Sequence, residues 1–274
     1  MIRPVGAVRV VESPLKKIGV VIVLALVLPA VAAAKERRPA PVMGYQGADW
    51  LERPGRDEEQ RPDEVIRAMG LRDGDVVADL GTGTGYFARR VARAIAPSGR
   101  VYAVDIQPEM IALLKRNVER AGLANVVPVL GTADDPKLPP GSVDWILLVD
   151  VYHELQAPKA MLARMREALK PTGKVALVEY RLEGLTALHI REEHRMSPRQ
   201  VLAEWEPAGF RLAKRHEFLP TQHFFVFERA DAPPAAAGPP RGAAERHRSF
   251  FSPGSPLFLA ESGGVRTQLG RRCA

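Results

Sequence analysis

Five short apolar runs alternate with amphipathic stretches along the middle of the chain, and this alternation constrains the fold more than any other feature. Hydrophobicity within each run is continuous, which predicts strands that are buried on both faces of a sheet. The amphipathic segments 86–96, 108–122 and 158–170 carry apolar residues at helical spacing and Arg or Lys on the opposite face. Strands and helices in alternation predict an α/β fold with a parallel sheet and right-handed crossovers. The five predicted strands are residues 76–80, 101–105, 125–130, 143–149 and 175–180.

Two further apolar segments near the end of this region break the rhythm. Residues 210–219 and 222–228 follow a predicted helix over 197–209, and only Pro220 and Thr221 separate them. A parallel crossover needs a dozen residues or more, so these two strands must be antiparallel neighbours. The sheet is therefore expected to end in a hairpin.

The two ends of the chain differ from its middle in charge and composition. The chain of 274 residues has a formal net charge of +7, of which residues 1–34 and residues 231–274 each carry +3. Residues 35–230 are left with +1, which argues against a general phosphate-binding surface and hence against a nucleic-acid partner. The segment 231–274 is rich in Ala, Pro, Gly and Arg without periodicity, so it is predicted to be a disordered tail.

The N-terminal segment has the pattern of an export signal. Lys16 and Lys17 precede an apolar run over 18–34 that ends in small residues suited to cleavage. A run of this length lies at the lower limit for crossing a bilayer, so an uncleaved membrane anchor is the alternative. The protein is thus expected to be exported to the periplasm or tethered to the membrane. If translation starts downstream, for instance at Met43, it is expected to be cytoplasmic.

Residues 35–61 form a polar lead-in segment before the first regular element. Its strongest apolar anchor is the pair Trp50-Leu51, which is expected to pack as an aromatic patch on the domain. A short helix is predicted over 62–70, because acidic residues occupy its first turn and a glycine ends it. The folded domain is therefore expected to span residues 62–230.

The first predicted strand runs into a glycine-rich turn, VVADLGTGTGYF over residues 76–87. Ligands of open parallel sheets bind at the carboxyl ends of the strands. Glycines in such a turn let the backbone approach a ligand without an intervening Cβ. Position 86 is Tyr, so a dinucleotide fingerprint lacks its third glycine, and the Lys and Ser or Thr of a phosphate-binding loop are missing as well. A nucleotide phosphate is therefore not the expected ligand.

Two acids at adjacent strand ends indicate the ligand class. Asp79 lies two residues before the first glycine, where a carboxylate attracts an ammonium group. Asp105 closes the second strand, 20 residues after Gly85, where a carboxylate can accept both hydroxyls of a ribose. A ligand that combines an amino-acid end with a ribose is indicated, and S-adenosylmethionine fits this description.

These motifs carry a family resemblance over residues 62–229. VVADLGTGTG, AVDIQPEM and GTADDPKLPPGSVDWILL resemble, respectively, the first motif, the second motif, and the third and fourth motifs of the class I S-adenosylmethionine-dependent methyltransferases. The resemblance implies a Rossmann-like, doubly wound sheet of seven strands, mostly parallel, with an antiparallel C-terminal hairpin strand. It also implies that Asp79 lies near the methionine ammonium, Asp105 on the ribose and Ile106 against the adenine.

The third motif departs from the pattern that this family usually shows in its quinone-methylating branch, Gly-Asp-Ala. Thr132 stands here in place of the acid, which leaves open whether Thr132, Ala133 or Asp134 reaches the adenine amino group. The candidate cofactor-binding residues are Asp79, Gly81, Thr82, Gly83, Gly85, Asp105, Ile106, Ala133, Asp134 and Asp150.

Methyl transfer from a sulfonium is a direct displacement, so the protein must align the acceptor and, for some acceptors, remove a proton. The candidate catalytic residues at the carboxyl ends of the fourth and fifth strands are Tyr152, His153 and Glu179. His153 is interpreted either as a general base or as a surface histidine at a helix start. Asp150 is interpreted either as a cofactor contact or as a helix cap.

Two further features of the sequence concern metal binding and the acceptor pocket. Asp150 and Glu179 have no third oxygen ligand near them in sequence, so no metal site is predicted. The charged insertion 186–200, which carries His189 and His194, either covers the acceptor pocket or is a solvated linker.

Two classes of function agree with these features. The first is an S-adenosylmethionine-dependent methyltransferase that acts on a small-molecule acceptor. The second is a catalytically silent S-adenosylmethionine-fold binding protein of the cell envelope. The intact glycines and both acids favour the enzyme.

Overall fold

The structure is a computed structural model that describes residues 38–184 and 189–233. The strands are β1 (Val76–Leu80), β2 (Arg100–Asp105), β3 (Val126–Leu130), β4 (Val143–Val149), β5 (Leu169–Tyr180), β6 (Phe210–His216) and β7 (Gln222–Arg229). The α-helices are α1 (Arg56–Gln60), α2 (Pro62–Met69), α3 (Tyr86–Ala94), α4 (Pro108–Arg120), α5 (Pro158–Ala168) and α6 (Pro198–Trp205). Short 3-10 helices cover Tyr45–Glu52, Tyr152–Glu154 and Glu192–His194.

All seven strands belong to one sheet in the order β3-β2-β1-β4-β5-β7-β6. The pairs β1–β2, β1–β4, β2–β3 and β4–β5 are parallel. The last strand, β7, lies between β5 and β6 and is antiparallel to both. The predicted parallel sheet, its C-terminal hairpin and the reversed last strand are therefore confirmed.

Proline fixes the start of several helices. Helices α2, α4, α5 and α6 each carry Pro in the first turn, where the absent N–H would have no intrahelical partner. Helix α6 is also capped by Ser197, whose hydroxyl accepts from the Gln200 amide at 3.2 Å. The predicted helix over 62–70 is confirmed, and Gly70 ends it in the left-handed region at φ +68°.

Strand β5 begins earlier than its apolar run predicts. Leu169 pairs with Val143 directly after α5, and the register then shifts so that Lys174 pairs with Trp145. This bulge takes in residues 170–173, which include a proline and a glycine and therefore do not read as a strand in sequence.

The sheet is covered on both faces. One buried cluster joins it to α2, α3 and α4 through residues such as Val65, Val91 and Leu114. The other joins it to α5 and α6 through residues such as Met165 and Trp205. Layers on both faces explain why the strands read as continuous apolar runs, and they confirm the doubly wound α/β class.

Two sequence predictions fall on parts of the chain that the structure does not describe. The predicted export signal or anchor over 1–34 lies outside the described residues, and so does the predicted tail apart from residues 231–233. Among the helices that the structure describes, none is long and apolar enough to cross a membrane.

Candidate active site

The carboxyl ends of β1, β2 and β4 open into a cavity of about 600 Å³. The β1–β2 side of the cavity is lined by Gly81, Thr82 and Gly83 of the glycine turn together with Asp79, Asp105 and Ile106, whereas the predicted cofactor residue Gly85 lies outside the lining, against Leu114. The β4–β5 side is lined by Asp150, His153 and other residues that precede α5. Two predicted groups of residues, one for the cofactor and one for the chemistry, therefore face the same space.

The glycine turn is fixed by contacts that a side chain would disrupt. Gly81 has φ +69°, and its amide donates to the Val104 carbonyl at 2.9 Å. A Cβ at this position would lie 2.3 Å from Cγ2 of Val151, so the turn has no room for a larger residue. The Thr82 hydroxyl donates to Asp79 Oδ2 at 2.7 Å, and the Gly83 amide donates to Asp105 Oδ2 at 2.9 Å. The turn and the two acids therefore form one unit.

Asp79 is buried at the end of β1, with 3% of its surface exposed. Burial raises the pKa of Asp79 to about 7, and the Thr82 hydrogen bond and the charge of Arg56 offset only part of that effect. A cationic group at this wall of the cavity would stabilise the ionised carboxylate. The site therefore fits a ligand that carries an ammonium group.

Asp105 closes β2 with its carboxylate at the cavity wall. Its Oδ1 accepts from the Gln107 amide at 3.0 Å, and its Oδ2 accepts the Gly83 amide. Each carboxylate oxygen can accept a second hydrogen bond, so both still suit a pair of ribose hydroxyls. Ile106 follows with 42% of its surface exposed beside the cavity, which suits the face of an apolar ring.

The loop after β3 brings two of its three candidates to the cavity. Thr132 and Ala133 line it. Asp134 is exposed outside the lining, and its Oδ1 accepts from the Thr132 hydroxyl at 2.7 Å. The position of Asp134 thus favours Thr132 or Ala133 as the neighbour of the adenine.

Asp150 follows β4 with a left-handed backbone at φ +53°. Its carboxylate accepts from Gln60 Nε2 at 2.6 Å and from Gln222 Nε2 at 2.8 Å, and Val151 rather than Asp150 precedes the next 3-10 helix. The helix-cap interpretation of Asp150 is therefore wrong. Burial, followed by the charge of Glu179, raises the pKa of Asp150 to about 7. Asp150 lines the cavity, and its contact with the cofactor stays a prediction.

His153 is buried at the cavity wall with 3% of its surface exposed, so the surface-histidine interpretation is wrong. Its Nδ1 lies 2.6 Å from Oε2 of Glu179, which is completely buried behind it. The other oxygen of Glu179 accepts from the Tyr152 amide at 2.7 Å and the His153 amide at 3.3 Å. A carboxylate in this position accepts a hydrogen bond from Nδ1–H and leaves Nε2 for other partners.

The surroundings of His153 favour its charged form. Burial lowers its pKa, but the attraction and hydrogen bond of Glu179, with Asp150 and Glu154, outweigh burial, and the pKa is raised above its ordinary value. His153 is therefore well suited to hold a proton.

Tyr152 does not share this setting. Its ring is completely buried against Trp205, with ring centroids 5.2 Å apart, and its hydroxyl donates to Glu204 Oε2 at 2.8 Å. Tyr152 was predicted to be catalytic, but it packs in the core next to α6 and does not line the cavity.

The charged insertion reaches the cavity, as the first of its two interpretations predicts. His189, Ile190, Arg191 and His194 line it. His194 Nδ1 lies 3.1 Å from His153 Nε2, with the two rings edge to face. Ile190 and His194 are partly buried there, whereas His189 and Arg191 remain exposed.

The lead-in segment supplies cavity residues that its polar sequence does not indicate. Arg56 is buried, donates to Gln60 Oε1 at 2.8 Å and lies over the Tyr86 ring at 4.0 Å. The predicted aromatic anchor Trp50 is 54% exposed and lines the cavity with Leu51. The only hint of this role in the sequence is an arginine and a glutamine spaced i, i+4 on a short helix.

Comparison with known proteins identifies relatives of the central part of the chain. A family model described as a methyltransferase domain matches residues 77–173. A protein-L-isoaspartate O-methyltransferase of Pyrococcus horikoshii is 34% identical over 113 residues, which is 41% of this chain and 48% of the relative. A ubiquinone/menaquinone biosynthesis C-methyltransferase of Cupriavidus taiwanensis is 31% identical over 116 residues, which is 42% of this chain and 47% of the relative. The chain thus spans about half the length of these curated relatives.

A solved structure extends the likeness over a larger part of the chain. The crystal structure of an S-adenosylmethionine-dependent methyltransferase from Aquifex aeolicus superposes with a TM-score of 0.65 at 27% identity. The match covers 68% of this chain and 98% of that one.

Proposed function

Because this chain carries a class I S-adenosylmethionine-dependent methyltransferase domain, we propose that it methylates a small-molecule acceptor bound beside His153. One observation supports this proposal above all. The glycine turn with its two acids and the buried His153–Glu179 pair line, or directly back, the same cavity.

The β1–β2 side of the cavity fits S-adenosylmethionine, the cofactor of this family. Asp79 attracts the ammonium group, Asp105 accepts the ribose hydroxyls and Ile106 covers one face of the adenine. The cofactor supplies a methyl group on a positively charged sulfur. These residues bind and orient it.

The β4–β5 side supplies the group that handles the acceptor's proton. Nε2 of His153 takes the proton that an acceptor hydroxyl or amine loses as its lone pair forms the new bond to carbon and the carbon–sulfur bond breaks, with the electron pair of that bond going to sulfur. Glu179 holds the ring through Nδ1 and stabilises the imidazolium that results.

Two observations support a small acceptor. They are the volume of the cavity and the low net charge of residues 35–230, +1, which argues against a nucleic-acid substrate. A volume of about 600 Å³ is typical of a small-molecule site.

The relatives are named for different acceptors, a protein isoaspartate and a quinone, and for transfer to oxygen and to carbon. Their names therefore leave the acceptor of this chain to experiment.

Titration calorimetry of the full chain with S-adenosylmethionine tests the cofactor site through Asp105→Ala. Loss of a charged hydrogen-bond acceptor is expected to weaken binding by about 1.5–3 kcal/mol. Asp73→Ala is the matched control, since Asp73 also accepts two hydrogen bonds, both from Ser98, but precedes β1 at the opposite edge of the sheet. An unchanged dissociation constant in Asp105→Ala contradicts the ribose role.

Catalysis is tested by release of S-adenosylhomocysteine in a screen of small-molecule hydroxyl and amine acceptors. We expect release with at least one acceptor, and a loss of about 10²–10⁴-fold in kcat in His153→Ala, with cofactor affinity retained. Cofactor binding without release for any acceptor supports instead the silent binding protein.

A further inference from the structure

Three side chains with metal-ligating atoms meet at the acceptor end of the cavity. Ligand atoms of His153, Glu154 and His194 all lie within 4.8 Å of one another. From this cluster we propose that the three residues bind one divalent transition-metal ion.

The spacing of the ligand atoms suits a single ion. Ligands about 2.0–2.2 Å from a shared ion lie roughly 3–3.4 Å apart, depending on the coordination angle. His153 Nε2 and His194 Nδ1 are 3.1 Å apart, and His153 Nε2 and Glu154 Oε1 are 3.9 Å apart. The histidine pair already has the required separation, and the Glu154 oxygen lies roughly 0.5–0.9 Å farther from His153 Nε2 than a shared ion requires.

The residue behind His153 is a second, independent feature of a built site. Imidazole ligands typically donate their other ring N–H to a carboxylate, which fixes the tautomer and raises the basicity of the ligating nitrogen. Glu179 Oε2 lies 2.6 Å from His153 Nδ1 in this arrangement. His153 is more than nine-tenths buried, so its Nε2 is held in one direction.

The charge around the cluster favours a cation. Asp150, Glu154 and Glu179 are three acids in one buried region, and Glu154 is held there by the Met43 amide at 3.3 Å. A divalent ion at the cluster neutralises part of this negative charge.

Two imidazoles and one carboxylate indicate the class of ion. This donor set suits zinc or ferrous iron, whereas magnesium and calcium prefer sites built from oxygen alone. The insertion brings His194 from a distant part of the chain, which explains why the acids alone predict no metal site.

The ion also restricts which compounds can be the methyl acceptor, an inference that rests on the proposed methyl transfer. Three protein ligands leave a coordination position for an acceptor oxygen, so the acceptor is a hydroxyl compound. The ion lowers the pKa of that hydroxyl, whose proton leaves to water. The oxygen lone pair then forms the bond to the methyl carbon, and the departing sulfur keeps the electron pair of the broken bond. Because His153 Nε2 cannot bind the ion and accept a proton together, the ion replaces it as the activating group.

Metal binding is tested directly on the full chain, with Cys273→Ser in every variant so that no thiol competes. Chelator-treated protein is titrated with Zn²⁺ against a chromophoric chelator, and with Co²⁺ by visible absorbance. We expect one ion per chain and the visible bands of a cobalt site with nitrogen ligands. The absence of stoichiometric Zn²⁺ and Co²⁺ binding overturns the proposal.

Variants assign the ligands. Glu179→Gln is expected to weaken Zn²⁺ binding by about 10–100-fold, and His194→Ala and Glu154→Gln by more, because they remove ligands. His216→Ala is the matched control, since His216 stacks on Phe224 away from the cluster and should leave affinity unchanged. Equal Zn²⁺ affinity in wild type and in folded His194→Ala, with folding checked by circular dichroism, contradicts the assignment.

The activity assay separates this proposal from the proposed function. If the ion activates the acceptor, chelation abolishes methyl transfer and leaves S-adenosylmethionine binding intact, and added Zn²⁺ or Fe²⁺ restores transfer. Transfer that persists after chelation shows His153 acting as a base and overturns the activating role. Failure to bind S-adenosylmethionine rejects the proposed function without affecting the metal titration.

Discussion

Asp79 and Asp105 illustrate how single residues acquire their properties from burial. Both are aspartates at strand ends in a glycine-rich context, and the sequence identifies them by position alone. Burial raises the pKa of each. Asp105 keeps two backbone amides as partners, whereas the main side-chain partner of Asp79 is the Thr82 hydroxyl. Of the two, Asp79 thus depends more on a cationic ligand to become ionised.

Binding of S-adenosylmethionine is expected to release a proton from Asp79 near pH 6. The pKa of this group is about 7 in the folded protein against an ordinary value of 3.8, so it is protonated at pH 6 until an ammonium group approaches. Affinity should therefore rise with pH up to about 7. Calorimetry in two buffers with different ionisation enthalpies measures the release.

The same shift has a consequence for stability. When a carboxyl group has a higher pKa in the folded than in the unfolded state, the free energy of unfolding falls as pH rises from the unfolded-state pKa to the folded-state pKa. Above the folded-state pKa this loss of stability stays constant. Asp79→Asn should remove the cofactor-linked proton release and flatten this part of the stability profile, whereas Asp73→Asn should change neither. Full proton release in Asp79→Asn means that another group is its source.

The turn between β1 and α3 shows how an element depends on its neighbours. Its glycines are evident from the sequence, but the reason for Gly81 is Val151, a residue that follows β4 and fills the space where a Cβ would lie. The turn is therefore shaped by a neighbouring strand in the sheet as well as by its own backbone angles.

Gly81→Ala is expected to destabilise the protein more than Gly70→Ala. Both glycines have nearly the same φ, +69° and +68°, but a Cβ at Gly70 meets nothing within 4 Å. Gly70→Ala should cost about 1–2 kcal/mol for the left-handed backbone alone. Gly81→Ala should cost roughly 1–3 kcal/mol more for overpacking and should weaken cofactor binding.

Denaturant unfolding and cofactor titration of both variants measure these costs. Adding Val151→Ala to Gly81→Ala should recover part of the loss, because it removes the atoms that clash. Equal losses for the two single glycine variants contradict the steric explanation.

At the scale of the whole molecule, the site depends on the lead-in segment lying against the domain. The side chain of Gln107 joins the two. Its Nε2 donates to the Met43 carbonyl and its Oε1 accepts from the Tyr45 backbone amide, both at 2.9 Å. The segment also brings Arg56 and Gln60 to the cavity wall. The functional unit of the described chain is therefore larger than the predicted domain over 62–230.

Gln107→Ala is expected to loosen the lead-in segment without unfolding the sheet. Amide hydrogen exchange in residues 43–52 should accelerate, and S-adenosylmethionine should dissociate faster, since two hydrogen bonds that hold this cavity wall are lost. Exchange in β1 and β4 should stay unchanged. Gln200→Ala on α6 is the control, and equal exchange rates for residues 43–52 in both variants contradict this role of Gln107.

The sequence by itself determined the strands, the amphipathic helices, the hairpin and the glycine turn. These features are periodic or local, so each is written in consecutive residues. The tertiary structure excluded the helix-cap interpretation of Asp150, placed part of the insertion at the cavity, buried Tyr152 in the core, and brought Arg56 and His194 to the cavity. The deciding contacts join residues far apart in the chain: Gln60 to Asp150 across 90 positions, and His153 to Glu179 across 26 and to His194 across 41. No local pattern specifies such pairs, because their geometry and their protonation arise only when the sheet buries them together.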